Sequence, residues 1–185
     1  TVTAFAGTRR IASGMVAQVA VTAKQLIERG ESETILVFDD DSGKVVEVDL
    51  RGSTEDVRNR LARLEPGTAR GPGRPKLGVV AREVTLLPRH WDWLASQPGG
   101  ASVALRKLVE EARRAHAGRD RARQAQEAAY RFMSTMAGDR PGFEEAARAL
   151  FAGDRQQLAA VIEPWPADIR DHAGKLAAGS FDPPP

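Results

Sequence analysis

The sequence contains no cysteine, which excludes disulfides, thiolate metal sites and cysteine nucleophiles. Aromatic residues make up only 5% of the chain, so the core has to be built mainly from Ala, Leu and Val. No apolar stretch approaches the roughly 20 residues needed to span a bilayer, and no membrane partner is expected. The opening Thr1-Val2-Thr3-Ala4-Phe5 lacks the charged and apolar regions of a secretion signal, so the cytoplasm is the expected compartment. Familiar catalytic patterns are missing as well. There is no Gly-x-Ser-x-Gly, no phosphate-cradling Gly loop with a following Lys-Ser/Thr, and no His-Glu-x-x-His. His90, His116 and His172 are far apart, form no ligand pair, and each reads as a surface residue. The expectation is a protein that is not an enzyme and carries no cofactor or metal.

What is present is an uneven charge. The whole chain has a formal net charge of only +2. Residues 1–66 carry nine Lys/Arg against eleven Asp/Glu, residues 67–123 twelve against five, and residues 124–185 six against nine. A basic middle between mildly acidic flanks points to a localised anionic partner, or to a solvated helix face.

The 185 residues, 42% hydrophobic, suffice for one medium domain or two small ones. Residues 1–64 read as a small α/β domain of order ββαββα. Thr3–Arg10 and Ile11-Ala12 are short strands, and Met15–Arg29 is a helix with Val16, Val19, Ala20, Ala23 and Ile27 at helical spacing, stopped by Gly30. Thr34–Phe38 and Lys44–Leu50 are strands around an Asp39–Gly43 turn, and Ser53 caps a helix with Val57, Leu61 and Leu64 on its apolar stripe. Residues 65–78 form a basic Gly/Pro linker. Residues 79–117 read as strand, helix, helix: Val79–Leu87, then Arg89–Ser96 after Pro88, then a helix capped by Ser102 with Leu105, Leu108, Val109 and Ala112 on one face. Trp91 is expected in the core and Trp93 at an interface. Residues 118–176 are helical, and 177–185 are an extended tail. Ala-Gly-Asp-Arg occurs at 137–140 and again at 152–155, each time closing one helix and opening the next. The fold class expected is α+β.

Within the linker, Arg70, Gly73, Arg74, Pro75 and Lys76 form an extended Gly-Arg-Pro core with flanking cations. Such a core is narrow enough for an A·T minor groove, where the guanidinium meets enhanced negative potential. The segment resembles an AT-hook, with Pro72 standing where an Arg usually precedes the core.

Arg82 to Glu111 resembles a ribbon-helix-helix unit, a family in which two chains pair strands into a ribbon that lies in the major groove. Ser102 falls where the family's capping Ser meets a phosphate at the helix N-terminus. The DNA contacts expected of this unit are Arg82, Thr85, Arg89, Ser102, Arg106 and Lys107. The strand departs from the pattern. The family's phase would turn Leu87, Thr85 and Glu83 inward, which buries an acid. The opposite phase buries Val84 and Leu86 and exposes Glu83, Thr85 and Leu87. Beyond this unit, Arg113, Arg114, Arg119, Arg121 and Arg123 continue the basic run, with Glu110, Glu111 and Asp120 placed to pair with some of them.

Over most of its length the chain resembles an uncharacterised bacterial domain family, through Ile35–Asp40, Gly73–Trp91 and Trp165–Arg170. That resemblance supplies no activity. The expected function is therefore a homodimeric, sequence-specific or AT-preferring DNA-binding protein, a regulator of transcription or of nucleoid type, with AT-rich duplex as partner. The alternative is a protein-interaction module, antitoxin-like or an adaptor, without direct DNA contact. A third reading is a metal-dependent nuclease using Asp39, Asp40 and Asp41 with Asp49, although Asp in a turn is common for backbone reasons.

Overall fold

The structure, a computed structural model, describes residues 1–64 and 80–181, with backbone alone at 63 and 64. It is α+β, as expected. The order is β1 (Val2–Ala6), β2 (Arg9–Gly14), α1 (Val16–Glu28), β3 (Ile35–Asp39), α2 (Thr54–Leu64), α3 (Pro88–Ser96), α4 (Gly100–Ala137), α5 (Phe143–Ala152), α6 (Arg155–Ile162) and α7 (Ala167–Ala177). Contacts divide the chain into two compact units. One combines Thr1–Pro66 with Gly118–Pro185, and the other is Gly67–Ala117. The N-terminal α/β segment and the C-terminal helices therefore belong to the same unit.

In that first unit three strands form an antiparallel sheet of order β2-β1-β3. All five residues of β1 are buried. Strand side chains alternate between faces, and the two faces meet different partners. Val2, Ala4 and Val37 join Val19 of α1 on one side. Phe5 and Phe38 face the other side, against Phe132 and Met133 of α4, Leu150 of α5, and Ile169 and Ala173 of α7. A bulge between Ala4 and Phe5 shifts the β1–β2 register and leaves Ile11 without a direct partner. The result is an α/β/α layering whose second helical layer comes from the far end of the sequence.

Local signals set most boundaries. Gly30, at φ 93°, closes α1 with paired bonds from Glu31 N to Leu26 O and from Gly30 N to Ile27 O. Ser53 caps α2, as its sequence suggests. Its hydroxyl accepts from Asp56 N, and the Asp56 carboxylate accepts from Ser53 N, a reciprocal capping box. The two Ala-Gly-Asp-Arg copies behave differently. At 152–155, Gly153 ends α5 and the Asp154 carboxylate caps α6 by accepting from Gln157 N. At 137–140 the copy ends α4, but α5 starts from Gly142 without a side-chain cap.

One expected strand is not formed. Lys44–Leu50 makes an isolated bridge at Val45 and a bond from Val46 N to Val37 O, then leaves the sheet edge. Val46 and Val48 instead bury part of their surface against the α1-side cluster, which needs no ladder. The first segment is thus ββαβα. The turn before it is held firmly. Arg131 Nη1 donates to Ser42 O at 3.0 Å, and Gly43 (φ 66°) packs so closely on α4 that a Cβ there would lie 2.0 Å from Ala128 O.

These two glycines separate backbone conformation from space, since a Cβ on Gly30 would meet nothing within 4 Å. Gly30→Ala is expected to cost about 1 kcal/mol, the left-handed penalty alone. Gly43→Ala adds overpacking against a helix backbone, for a total of about 3 kcal/mol. Urea unfolding of both variants at pH 7 checks this. Equal losses would mean that the Ala128 contact carries no weight.

Candidate nucleic-acid interface

The second unit begins, among its described residues, with 80–87. This segment has no regular secondary structure, so the expected strand Val79–Leu87 is not present as such. A strand needs a ladder partner, and among the described residues no other segment pairs with it. Leu87 is extended (φ −66°, ψ 149°), as a residue before proline prefers. Pro88 then opens α3 at its first position, where a missing N–H costs nothing. Pro98-Gly99-Gly100 turns the chain into α4, which starts at Gly100, three residues earlier than a Ser102 cap would place it. Ser102 is therefore not the N-cap. It sits in the first turn, where N–H groups lack intrahelical acceptors. Its own carbonyl accepts from Arg106 Nε at 3.0 Å, which folds that guanidinium back along the helix start.

Arg82, Thr85, Arg89, Ser102, Arg106 and Lys107 are all solvent-exposed. Ser102 and Arg106 are brought together, one turn apart. Lys107 lines a shallow pocket with Trp93, Gln97 and Glu111. The remaining expected contacts, Arg70, Gly73, Arg74, Pro75 and Lys76, lie outside the described residues. Further along α4 the basic run is partly neutralised. Arg113 and Arg114 both approach Glu110, at 3.4 and 3.6 Å, and Arg123 pairs with Asp120 at 2.9 Å.

Behind the polar surface this unit has little core. Leu94 and Ala104 are the buried side chains among residues 80–117. Leu86, His90, Trp93, Leu94, Leu105 and Leu108 line an open apolar groove. Trp91, expected in the core, is 39% exposed, and Trp93 is 52% exposed. Leu94 takes the buried position on α3 instead.

A second polar constellation lies in the first unit and was not legible as a site. His172 is fully buried, not a surface residue, with its ring against Phe132 (4.6 Å) and Phe5 (5.4 Å). Neither ring nitrogen has a hydrogen-bond partner. Its Nε2 lies 3.7 Å from Asp40 Oδ1. Asp40 accepts hydrogen bonds from Thr3 (2.8 Å), Thr1 (2.9 Å) and Lys175 (2.8 Å). Burial would raise the Asp40 pKa, but these donors outweigh it and hold the carboxyl below its ordinary value. Burial pushes His172 down to about 4, against the pull of Asp40 and with help from Lys175 and Arg10. Two other acids of the expected nuclease cluster, Asp39 and Asp49, are engaged separately. The Asp39 carboxylate accepts from Ser42, and Asp49 pairs with Arg51 (2.9 Å) and Arg60 (3.4 Å). Among the described residues no three His, Asp or Glu are grouped to hold a metal ion.

A family model described as "Uncharacterized protein conserved in bacteria (DUF2239)" matches residues 1–177. The chain belongs to this family. No curated protein and no solved structure matches it. The DUF2239 match spans both the 80–117 region and His172.

For this DUF2239 protein the buried histidine gives a pH prediction with a definite sign. An unfolded His172 takes up a proton near pH 6.5, whereas the folded one resists until about 4. Stability is therefore intact above pH 6.5 and is lost as pH falls toward 4, by about 3 kcal/mol from this group. Urea unfolding between pH 7.5 and 4.5 should show that slope. His172→Phe, of similar volume and without ring nitrogens, should flatten it. An identical slope in that variant would assign the acid sensitivity elsewhere.

Proposed function

We propose that this protein is a homodimeric DNA-binding protein, a regulator of transcription or of nucleoid type, that meets duplex DNA through residues 70–107. The observation that carries the reading is the composition of the second unit. An unpaired segment, a Pro-started helix and a longer helix present exposed Arg82, Arg89, Arg106 and Lys107 outside, and an uncovered apolar groove inside. Among the described residues of this unit, a core of two buried side chains is too small to stand alone. A second copy would cover the groove and supply a strand partner for residues 80–87 at once. The start of α4, with the Ser102 turn and Arg106, suits a phosphate. Arg74, flanked by Arg70 and Lys76, suits an adjacent A·T minor groove.

The groove also favours a second reading, in which its occupant is a helix of a different protein and no DNA is touched. Mass in solution separates the two, since a dimer has twice the 20.0 kDa of the chain.

Gel-shift titration of AT-rich duplex across a salt series tests the main reading. Affinity should fall steeply with salt, and each lost phosphate contact should reduce the log–log slope by about 1. Arg74→Ala combined with Arg106→Ala should weaken binding and flatten the slope. Salt-independent binding, or a double variant that binds like the parent, would overturn the proposal.

A further inference from the structure

The end of α3 and the start of α4 enclose a second, smaller cavity of about 160 Å³. Its walls come from two pairs at helical spacing. Trp93 on α3 and Gln97 at its C-cap lie one turn apart, as do Lys107 and Glu111 on α4. Ala104 lies between them, 7% exposed, and its short side chain leaves the space open. Trp93 also borders the apolar groove, yet 52% of it is exposed. The Gln97 amide nitrogen donates to Trp93 O at 3.2 Å and to Ser96 Oγ at 3.3 Å. Both of its N–H groups are thereby spent within the helix end, and its oxygen is left as an acceptor. Lys107 and Glu111 have no ion-pair or hydrogen-bond partner among the described residues. The pocket therefore offers an indole with two acceptors and one cationic donor around it.

We propose that this pocket binds an unpaired guanine base, stacked on Trp93 and held by its Watson–Crick edge. Stacking on an aromatic side chain suits every base, so the polar groups decide which one enters. The guanine edge presents two adjacent donors, N1–H and the N2 amino group, beside one acceptor, O6. That set complements the Glu111 carboxylate, the Gln97 oxygen and the Lys107 ammonium. Cytosine presents two acceptors and one donor, uracil and thymine one donor between two acceptors, and adenine one of each. Each of these would set an acceptor against an acceptor or leave a pocket group unmatched, which is costly. The cavity is well below the roughly 300–1,000 Å³ of sites for drug-sized ligands. It has room for the ring and leaves sugar and phosphate in solvent. A free guanine nucleotide and an unpaired guanine in a strand therefore share the recognised chemistry. A paired guanine is excluded, since its edge is already used. The inference goes beyond duplex binding and stands without it.

Calorimetric titration of the full chain with GMP, AMP, CMP and UMP tests the pocket. A thymine-tract oligonucleotide with one guanine is added in parallel, single-stranded or annealed to its complement. GMP and the single-stranded guanine should bind, and the other nucleotides at least about tenfold more weakly. Trp93→Leu should weaken guanine binding by about tenfold or more. Glu111→Gln should remove the preference for guanine over adenine, since an amide suits adenine, and should keep the stacking. Circular dichroism matching the parent shows that these surface variants fold. Fluorescence locates the ligand. Trp165 is buried, so in Trp91→Phe the remaining exposed indole is Trp93, and guanine should quench it. Strand guanine bound much more tightly than GMP assigns the ligand to nucleic acid, and equal affinity assigns it to a free nucleotide; both keep the pocket. Binding of no guanine ligand, equal affinity for all four bases, or annealed guanine bound as tightly as single-stranded guanine would overturn the inference. So would guanine binding that neither Trp93→Leu nor Glu111→Gln changes. None of these results bears on the salt titration of AT-rich duplex, so the two readings fail separately.

Discussion

A central strand with no exposed side chain constrains everything else in the first unit. Every residue of β1 is buried, although the sheet has only three strands. Such a strand cannot lie on a surface, so both of its faces have to be roofed by helices. The nearby α1 covers one face. The other needs a large apolar layer, which the first 64 residues do not contain. The C-terminal helices supply it, and the scarce aromatics are concentrated at that boundary. Phe5, Phe38 and Phe132 meet edge-on or tilted at 4.9–6.0 Å. His172 completes the set, with its Nε2 3.7 Å from Asp40 Oδ1.

Much of this was legible where the signal is local. Gly30, the Ser53–Asp56 box and Pro88 each act within one helical turn, so their sequence neighbours suffice to interpret them. The fourth strand was misread because Lys44–Leu50 has strand-like residues, while its ladder depends on an edge that the chain leaves after Val46. Ser102 was misplaced because the Gly99-Gly100 turn starts α4 early, and Trp91 because too little of the second unit is buried to hold it. The burial of His172 was a missed signal. Ile169, His172, Ala173 and Leu176 recur at helical spacing, and all four are buried. The Asp40–Lys175 bond, by contrast, spans 135 positions and left no trace in sequence pattern.

The two units differ in how completely each satisfies itself. In the first, both faces of the sheet are covered and the Asp40 carboxylate has three donors, although the buried ring nitrogens of His172 have none. In the second, two tryptophans and several aliphatic side chains are exposed, and a segment with strand-forming residues has no ladder among the described residues. Exposed apolar surface concentrated on a small unit marks an interaction site. The positive charge of the chain is concentrated in the same stretch of sequence. Exposed apolar side chains and positive charge thus share one region of the sequence.

The discontinuity of the first unit also orders events in time. On the ribosome the sheet residues emerge first, yet the helices that roof Phe5 and Phe38 are encoded after residue 117. At about 5–20 residues per second, the stretch from residue 40 to residue 117 takes roughly 4–16 seconds to appear. Throughout that interval one face of the nascent sheet has no cover. The second unit is complete in sequence before then. The larger core therefore closes last, after every residue of the second unit has been made.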